Sequence, residues 1–148
     1  MTKLLKNKLM KTDFSRISVL ATALMLACSC NSWKEAASAS EEMPPIFPDY
    51  TDVTVPANIA PLNFMIEDAG HIQAVLSVDG GKEIKVCGKD GIIRIPLKKW
   101  KNLLSHAGGK KISVNVSVWN EDKPDGVSYK SFDINVAPDC MDGWIAYR

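Results

Sequence analysis

The feature that most constrains the fold of this chain is the alternation of apolar and polar residues in its second half. From Ile112 to Val118 every even-numbered residue is isoleucine or valine, whereas the odd-numbered residues between them are serine or asparagine. The segment from Val127 to Val136 repeats this pattern over residues 132–136, and residues 72–78 follow it more loosely. Side chains that alternate in this way lie on opposite faces of a β-strand, so one face is buried and the other faces solvent. The pattern predicts strands in all three segments.

Shorter apolar segments at 52–56, 62–66, 84–86 and 92–95 bring the expected number of strands to about seven, with turn sequences such as Asp79-Gly80-Gly81 between them. One segment departs from the two-residue period. Between Pro96 and Ala107, apolar residues recur at helical spacing and predict a short helix, with the stripe Leu97, Trp100, Leu103 and Leu104. These elements predict an all-β fold: an antiparallel β-sandwich of immunoglobulin-like type, with one short helix.

Residues 1–27 have the three parts of a bacterial signal peptide: a basic stretch, an apolar core from Ile17 to Ala27, and a small residue before Cys28. This core of eleven residues rises only ~16 Å as a helix, about half of the ~30 Å that a bilayer requires. A signal peptide is therefore favoured over a transmembrane helix. We expect residues 1–27 to be removed and Cys28 to be acylated. Cys30 is the alternative attachment residue, and an ordinary secretory signal without acylation is the other interpretation.

Residues 28–50 are expected to form a lipidated, flexible tether that precedes a folded domain at 51–148. The stretch from Glu35 to Glu42 is small and polar, and three prolines between 44 and 48 stiffen the end of the segment. Few acidic residues follow Cys28 directly, which argues against export to the cell surface. We therefore expect a location in the cell envelope, with the lipid in the outer membrane and the domain facing the periplasm.

The charge balance excludes nucleic acid as a partner. Five of the 18 basic residues and one of the 17 acidic residues precede Cys28, so the rest of the chain has a net charge of about −3. A binding site for a phosphate backbone needs a basic face, and this composition does not predict one.

No catalytic or metal site is predicted from the reactive side chains. His71 and His106 have no cysteine or histidine neighbour at ligand spacing. No general base accompanies Cys87 or Cys140, although two cysteines of an exported domain can form a disulfide, and the spacing leaves that pairing open. We expect no cofactor in this chain other than the lipid on Cys28.

Four aromatic residues form a candidate binding surface. Trp119 falls on the outward phase of its strand, and Tyr129, Trp144 and Tyr147 would join it on one sheet face. Exposed aromatic rings of this kind stack on sugars or contact another domain. The competing interpretation is that another strand, domain or partner covers them.

Short motifs in this chain resemble the N-terminal region of a Bacteroidetes family of envelope lipoproteins. The motifs are PPIFPDY at 44–50, VTVP at 53–56, NIAPLNF at 58–64, KWK at 99–101, DINVAPD at 133–139 and IAYR at 145–148. Members have an immunoglobulin-like domain, then a c-type haem motif (Cys-x-x-Cys-His) and a TolB-like, WD-type β-propeller, and some are labelled cytochrome c biosynthesis proteins. This chain contains neither of the last two parts. The resemblance therefore implies an anchor and a fold, but no haem-binding or catalytic residue. Two interpretations stay open: a last strand that closes the sheet at Arg148, or a truncated form of such proteins.

The sequence thus predicts a membrane-anchored, non-catalytic module that acts as an interaction or spacer domain. Its expected partners are the membrane, another envelope protein or a downstream propeller domain. The alternative is a free-standing β-sandwich at the envelope that binds a glycan or a peptide.

Overall fold

The computed structural model describes residues 33–79 and 81–142, and these form nine short strands and one helix. This confirms an all-β fold with a single short helix in the described part of the chain. The elements are β1 (Ser38–Ala39), β2 (Thr54–Val55), β3 (Phe64–Met65), β4 (His71–Val78), β5 (Glu83–Lys89), β6 (Ile92–Ile93), α1 (Leu97–Leu104), β7 (Lys111–Trp119), β8 (Val127–Ser128) and β9 (Phe132–Val136).

The main sheet has seven strands, and its two longest, β7 and β4, are both predicted by the alternation. Strand β4 pairs antiparallel with β5 on one side and with β7 on the other, so that Leu76 lies opposite both Ile84 and Val114. The even-numbered side chains of β4 and β7 are buried and form the core face of the sheet. The odd-numbered side chains form the opposite face, called the outer face below.

The predicted strand over residues 127–136 is two strands separated by a bulge. Ser128 lies opposite Ser117, whereas Phe132 lies opposite Val114. Four steps along one strand therefore match three along the other, and one extra residue is accommodated between β8 and β9. The extra residue changes the inward phase, so that Val127 and Phe132 are both buried although one number is odd and the other even.

Pairing at two sheet edges differs from the antiparallel arrangement that we expected. Strand β1 pairs parallel with β8, and β2 pairs parallel with β9. Strands β1 and β2 are each two residues long, and both precede the β4–β5 hairpin in the chain. A second, smaller sheet consists of the antiparallel pair β3 and β6.

Helix α1 begins after Pro96 and packs through its second half. Trp100 and Leu103 are fully buried, and the Trp100 indole Nε1 donates a hydrogen bond to the Ile59 carbonyl oxygen at 3.0 Å. Leu97 is 54% exposed, so the predicted apolar stripe packs only beyond the first turn.

A flexible tether at 33–50 is contradicted by the structure. Strand β1 belongs to the main sheet, Ile46 is buried, and Phe47 forms an isolated antiparallel bridge with Met65 through two backbone hydrogen bonds of 2.8 Å. Polar composition did not prevent packing, because the backbone groups of this segment find sheet partners and Ile46 supplies an apolar anchor. The predicted signal peptide and the rest of the tether, 28–32, lie outside the described residues.

Candidate functional site

Residues Trp33–Ser40, here called the strap, cross the outer face of the main sheet. The Ala37 N–H donates to the carbonyl oxygen of Asp125 at 3.0 Å, and the Ser40 N–H donates to that of Ser128 at 2.8 Å. Between these two bonds the strap pairs with β8 as strand β1. The strap therefore runs from the outer face to the β8 side of the sheet.

The strap is held over the middle of the outer face by Gln73. This side chain is 1% exposed and is the one buried polar side chain among the described residues. In the amide orientation that satisfies both of its ends, the Gln73 nitrogen donates to the Lys34 carbonyl oxygen at 2.8 Å, and its oxygen accepts from the Lys34 N–H at 3.0 Å and from His71 Nε2 at 3.1 Å. The glutamine thus gives Lys34 the two hydrogen bonds that a neighbouring strand would give. An alternating pattern does not distinguish a buried glutamine from an exposed one, so the sequence did not reveal this contact.

His71 lies beside this contact, at the start of β4. Its ring packs on the Trp119 indole with centroids 5.3 Å apart and an interplanar angle of 53°. Burial lowers the pKa of His71 below its ordinary value, and the positive charge of Lys34 acts in the same direction. The lowered pKa favours the neutral form of the imidazole beside Gln73.

The predicted aromatic binding surface is not formed by its two described members. Trp119 does lie on the outward phase of β7, but it is only 7% exposed. The loop that ends at Gly126 covers it, so closely that a Cβ atom at Gly126 would overlap the indole Nε1 and Cε2. Tyr129 is partly buried against the core, and Trp144 and Tyr147 lie outside the described residues.

The remaining reactive side chains are separate from one another. Cys87 in β5 and Cys140 after β9 are both free thiols, so the disulfide left open above is not formed. Burial raises the pKa of the Cys87 thiol. His106 follows the helix, and its Nδ1 lies 2.8 Å from the carbonyl oxygen of Asn102. Within residues 33–79 and 81–142, no three His, Cys, Asp or Glu side chains come together as a metal site.

A groove of about 540 Å³ lies between the edge strand β5 and helix α1. Its floor includes the buried side chains Ile84 and Leu103. Half of the residues around it are lysines, and we call it the lysine groove. The lining residues are Lys82, Glu83, Ile84, Lys85, Lys98, Lys99, Asn102 and Leu103.

Two elements bring the lysines of this groove together. Lys82 and Lys85 come from the start of the β5 hairpin arm, where a charged residue also discourages pairing with another sheet. Lys98 and Lys99 precede the buried Trp100 and are themselves exposed. These two lysines lie outside the apolar stripe of the helix, which accounts for their exposure. The sequence does not indicate the groove, because the distance between β5 and α1 is set by tertiary packing.

Charge is unevenly distributed along the strands of the main sheet. The lysine groove lies towards the β4–β5 hairpin, whereas Asp68, Glu121 and Asp122 line a second hollow of about 410 Å³ at the opposite end. The eight residues of β4 extend over about 24 Å between the two ends. Glu83 is the acidic residue of the groove, and its carboxylate lies 3.1 Å from the Lys85 ammonium. The groove is therefore the basic end of this domain.

The described part of the chain includes no helix long and apolar enough to cross a bilayer. No protein-family model, curated protein or solved structure matches this chain.

Proposed function

We propose that this chain is a lipoprotein of the cell envelope, acylated on Cys28 after removal of residues 1–27. Its folded part is a non-catalytic interaction or spacer module, like the N-terminal domain of the Bacteroidetes lipoproteins that its motifs resemble. The proposed location is the periplasmic side of the outer membrane. The observation that carries this proposal is the stretch Leu24-Met25-Leu26-Ala27-Cys28, in which an apolar core ends on a small residue before cysteine.

Acylation explains how such a module stays at a membrane. Each buried methylene contributes about 0.8 kcal/mol, so one acyl chain anchors marginally and two or more anchor stably. The strap adds a geometric consequence. Trp33 is five residues after Cys28, a stretch that can span at most about 18 Å, whereas a free tether up to Tyr50 would span up to about 80 Å. The proposed anchor therefore holds the domain close to the bilayer.

The state of the reactive side chains supports a non-catalytic role. A cysteine nucleophile needs a lowered thiol pKa or a base within hydrogen-bond reach, and burial raises the pKa of Cys87. His71 is occupied by Gln73 and Trp119, and the His106 ring lies against the end of its own helix.

An apolar row on the small sheet supports an interaction role. Met65 lies opposite Ile92 in the β3–β6 pair and opposite Phe47 in the isolated bridge, so the three side chains share one face. Phe47 is 70% exposed and Ile92 is 37% exposed. Adjacent exposed apolar side chains are typical of surfaces that contact another protein. In the proposed function this partner is an envelope protein or a propeller domain.

Labelling with radioactive palmitate in a bacterial host that acylates lipoproteins tests the anchor. The full chain should incorporate label, and Cys28→Ala should not, whereas Cys30→Ala should still incorporate it. Label that persists in Cys28→Ala but is lost in Cys30→Ala would move the attachment to Cys30. A full chain that is exported without label would refute the lipoprotein and favour an ordinary secretory signal.

A further inference from the structure

We propose that the lysine groove is a docking surface for anionic phospholipid headgroups, and that the anchored domain lies on the membrane with its β5 edge towards the bilayer. The inference rests on the proposed function, because it requires an acylated cysteine close to the strap. It goes beyond that function by assigning a membrane-facing side to the domain and a lipid charge to the partner.

The strap brings Trp33, the first described residue, beside the groove. Lys34 is bound to Gln73, and the preceding residue Trp33 lies beside Lys85, whose ammonium is 5.3 Å from the centre of the indole ring. In the β4–β5 register, Lys85 is two residues nearer the hairpin than Cys87, the partner of Gln73. From Lys34 back to Trp33 the strap thus proceeds towards the groove end of the sheet. With at most about 18 Å of chain between Cys28 and Trp33, the groove lies within reach of the headgroups around the anchor.

Charge complementarity favours this side of the domain over the others. Two elements contribute four lysines to the groove, and its acidic residue, Glu83, is already paired with Lys85. Further carboxylates towards this end include Asp79 in the adjacent turn and Asp133, which is already paired with the Lys111 ammonium at 3.2 Å. The chain after residue 27 is acidic as a whole, and carboxylates surround the opposite end of β4. An anionic surface therefore attracts the groove end and repels the other, which orients a tethered domain.

The residues around the groove favour a lipid surface over an acidic peptide as the occupant. Trp33 is 37% exposed beside Lys85, and Leu97 is 54% exposed next to Lys98. Tryptophan at the headgroup level, together with lysines whose stems lie on apolar surface, is typical of membrane interfaces. A peptide added to the edge of β5 would use the backbone of the strand but would leave Trp33 and Leu97 without a role.

Amine labelling of the acylated full-length protein tests the inference. The protein is inserted into vesicles of phosphatidylcholine alone or of phosphatidylcholine mixed with phosphatidylglycerol, after palmitate incorporation has been measured. A membrane-impermeant amine reagent and peptide mass spectrometry then give the modification rate of each lysine. Lys89 and Lys123, which are exposed at the opposite end of the main sheet, serve as internal references.

We expect the groove lysines to react at least about threefold more slowly in the anionic vesicles than in the neutral ones, because each lysine near an anionic surface favours the docked state by about fivefold. Salt at about 0.5 M should remove the difference by screening. The double variant Lys98→Glu/Lys99→Glu should abolish the protection of Lys82 and Lys85. The matched variant Lys89→Glu/Lys123→Glu has the same net charge and should retain it.

The outcomes separate this inference from the function on which it rests. An acylated protein whose groove lysines react at equal rates in both kinds of vesicle would overturn the inference and leave the lipoprotein intact. Groove lysines that react more slowly than the reference lysines in both kinds of vesicle, or that stay protected at about 0.5 M salt, would also overturn it. Another occupant would then cover the groove. A chain without palmitate would instead refute the proposed function at the first step.

Discussion

Substitution of Gln73 by alanine is expected to release the strap from the outer face of the sheet. The change removes both hydrogen bonds to Lys34 and the bond to His71. A typical hydrogen bond contributes about 1 kcal/mol net, so loss of the two bonds to the strap should destabilise its docked state by about 2 kcal/mol. Loss of the bond to His71 and of the buried side-chain methylenes adds to this figure, so we expect about 2–3 kcal/mol in all.

Hydrogen–deuterium exchange of individual amides measures this release. A loss of 2 kcal/mol should accelerate exchange of the Lys34 amide about thirtyfold, and the Ala37 and Ser40 amides should follow if the strap opens as a unit. Amides in the middle of β7 should change much less. The control is Ser77→Ala, which shortens a half-buried side chain on the same face of β4. Equal exchange of Lys34 in Gln73→Ala and in the control would refute the assignment of Gln73 as the contact that holds the strap.

Further predictions concern single residues of the fold. Gly91→Ala and Gly109→Ala place alanine at nearly the same φ, +69° and +68°, which costs about 1–2 kcal/mol in each case. Only at Gly91 would the new Cβ also overlap the Ile66 carbonyl oxygen. Urea unfolding should therefore show that Gly91→Ala lowers the free energy of unfolding by about 1–3 kcal/mol more than Gly109→Ala does, and equal losses in the two variants would contradict this account. Because burial lowers the pKa of His71, the unfolded chain binds the proton more readily, and the free energy of unfolding should fall as pH decreases below the ordinary value of 6.5. Urea titrations at a series of pH values measure this dependence. His71→Gln should reduce the fall in the free energy of unfolding below pH 6.5, and an unchanged dependence on pH would assign the effect to other groups. Since burial raises the pKa of Cys87, its rate of alkylation should reach half of its limiting value above pH 9.0, and a midpoint at or below 9.0 would contradict the burial.

Local patterns were sufficient for the central elements of the fold. The alternation over 72–78 and 112–118 correctly predicts β4 and β7, and the spacing around Trp100 correctly predicts α1. These elements are predictable because each long strand or helix has a buried face whose period is visible in the sequence. The two-residue strands were harder to define, since they are too short to show a period and depend on a partner strand.

The candidate site was much less predictable than the fold. The polarity of residues 35–42 suggested a flexible segment, and the outward phase of Trp119 suggested an exposed aromatic face. Tertiary packing changes both features. The segment at 35–42 is ordered because the strap pairs with the sheet, and Trp119 is covered because the β7–β8 loop passes over it. Nothing in the local sequence around Trp119 indicates that a loop will cover it.

The sequence by itself determined the class of fold, the position of the helix and the hypothesis of an acylated Cys28, because each follows from residues that are neighbours along the chain. Only the tertiary structure decided that Gln73 binds the strap, that Trp119 is covered, and that lysines from β5 and α1 share one groove. Lys34 and Gln73 are 39 positions apart in the chain, and Lys85 and Lys98 are 13 apart. Trp119 and Gly126 are only seven apart, but they meet because the loop between them folds back over the sheet. Their geometry depends on how the hairpin, the helix and the strap pack against each other, and packing of that kind leaves no periodic signal in the sequence.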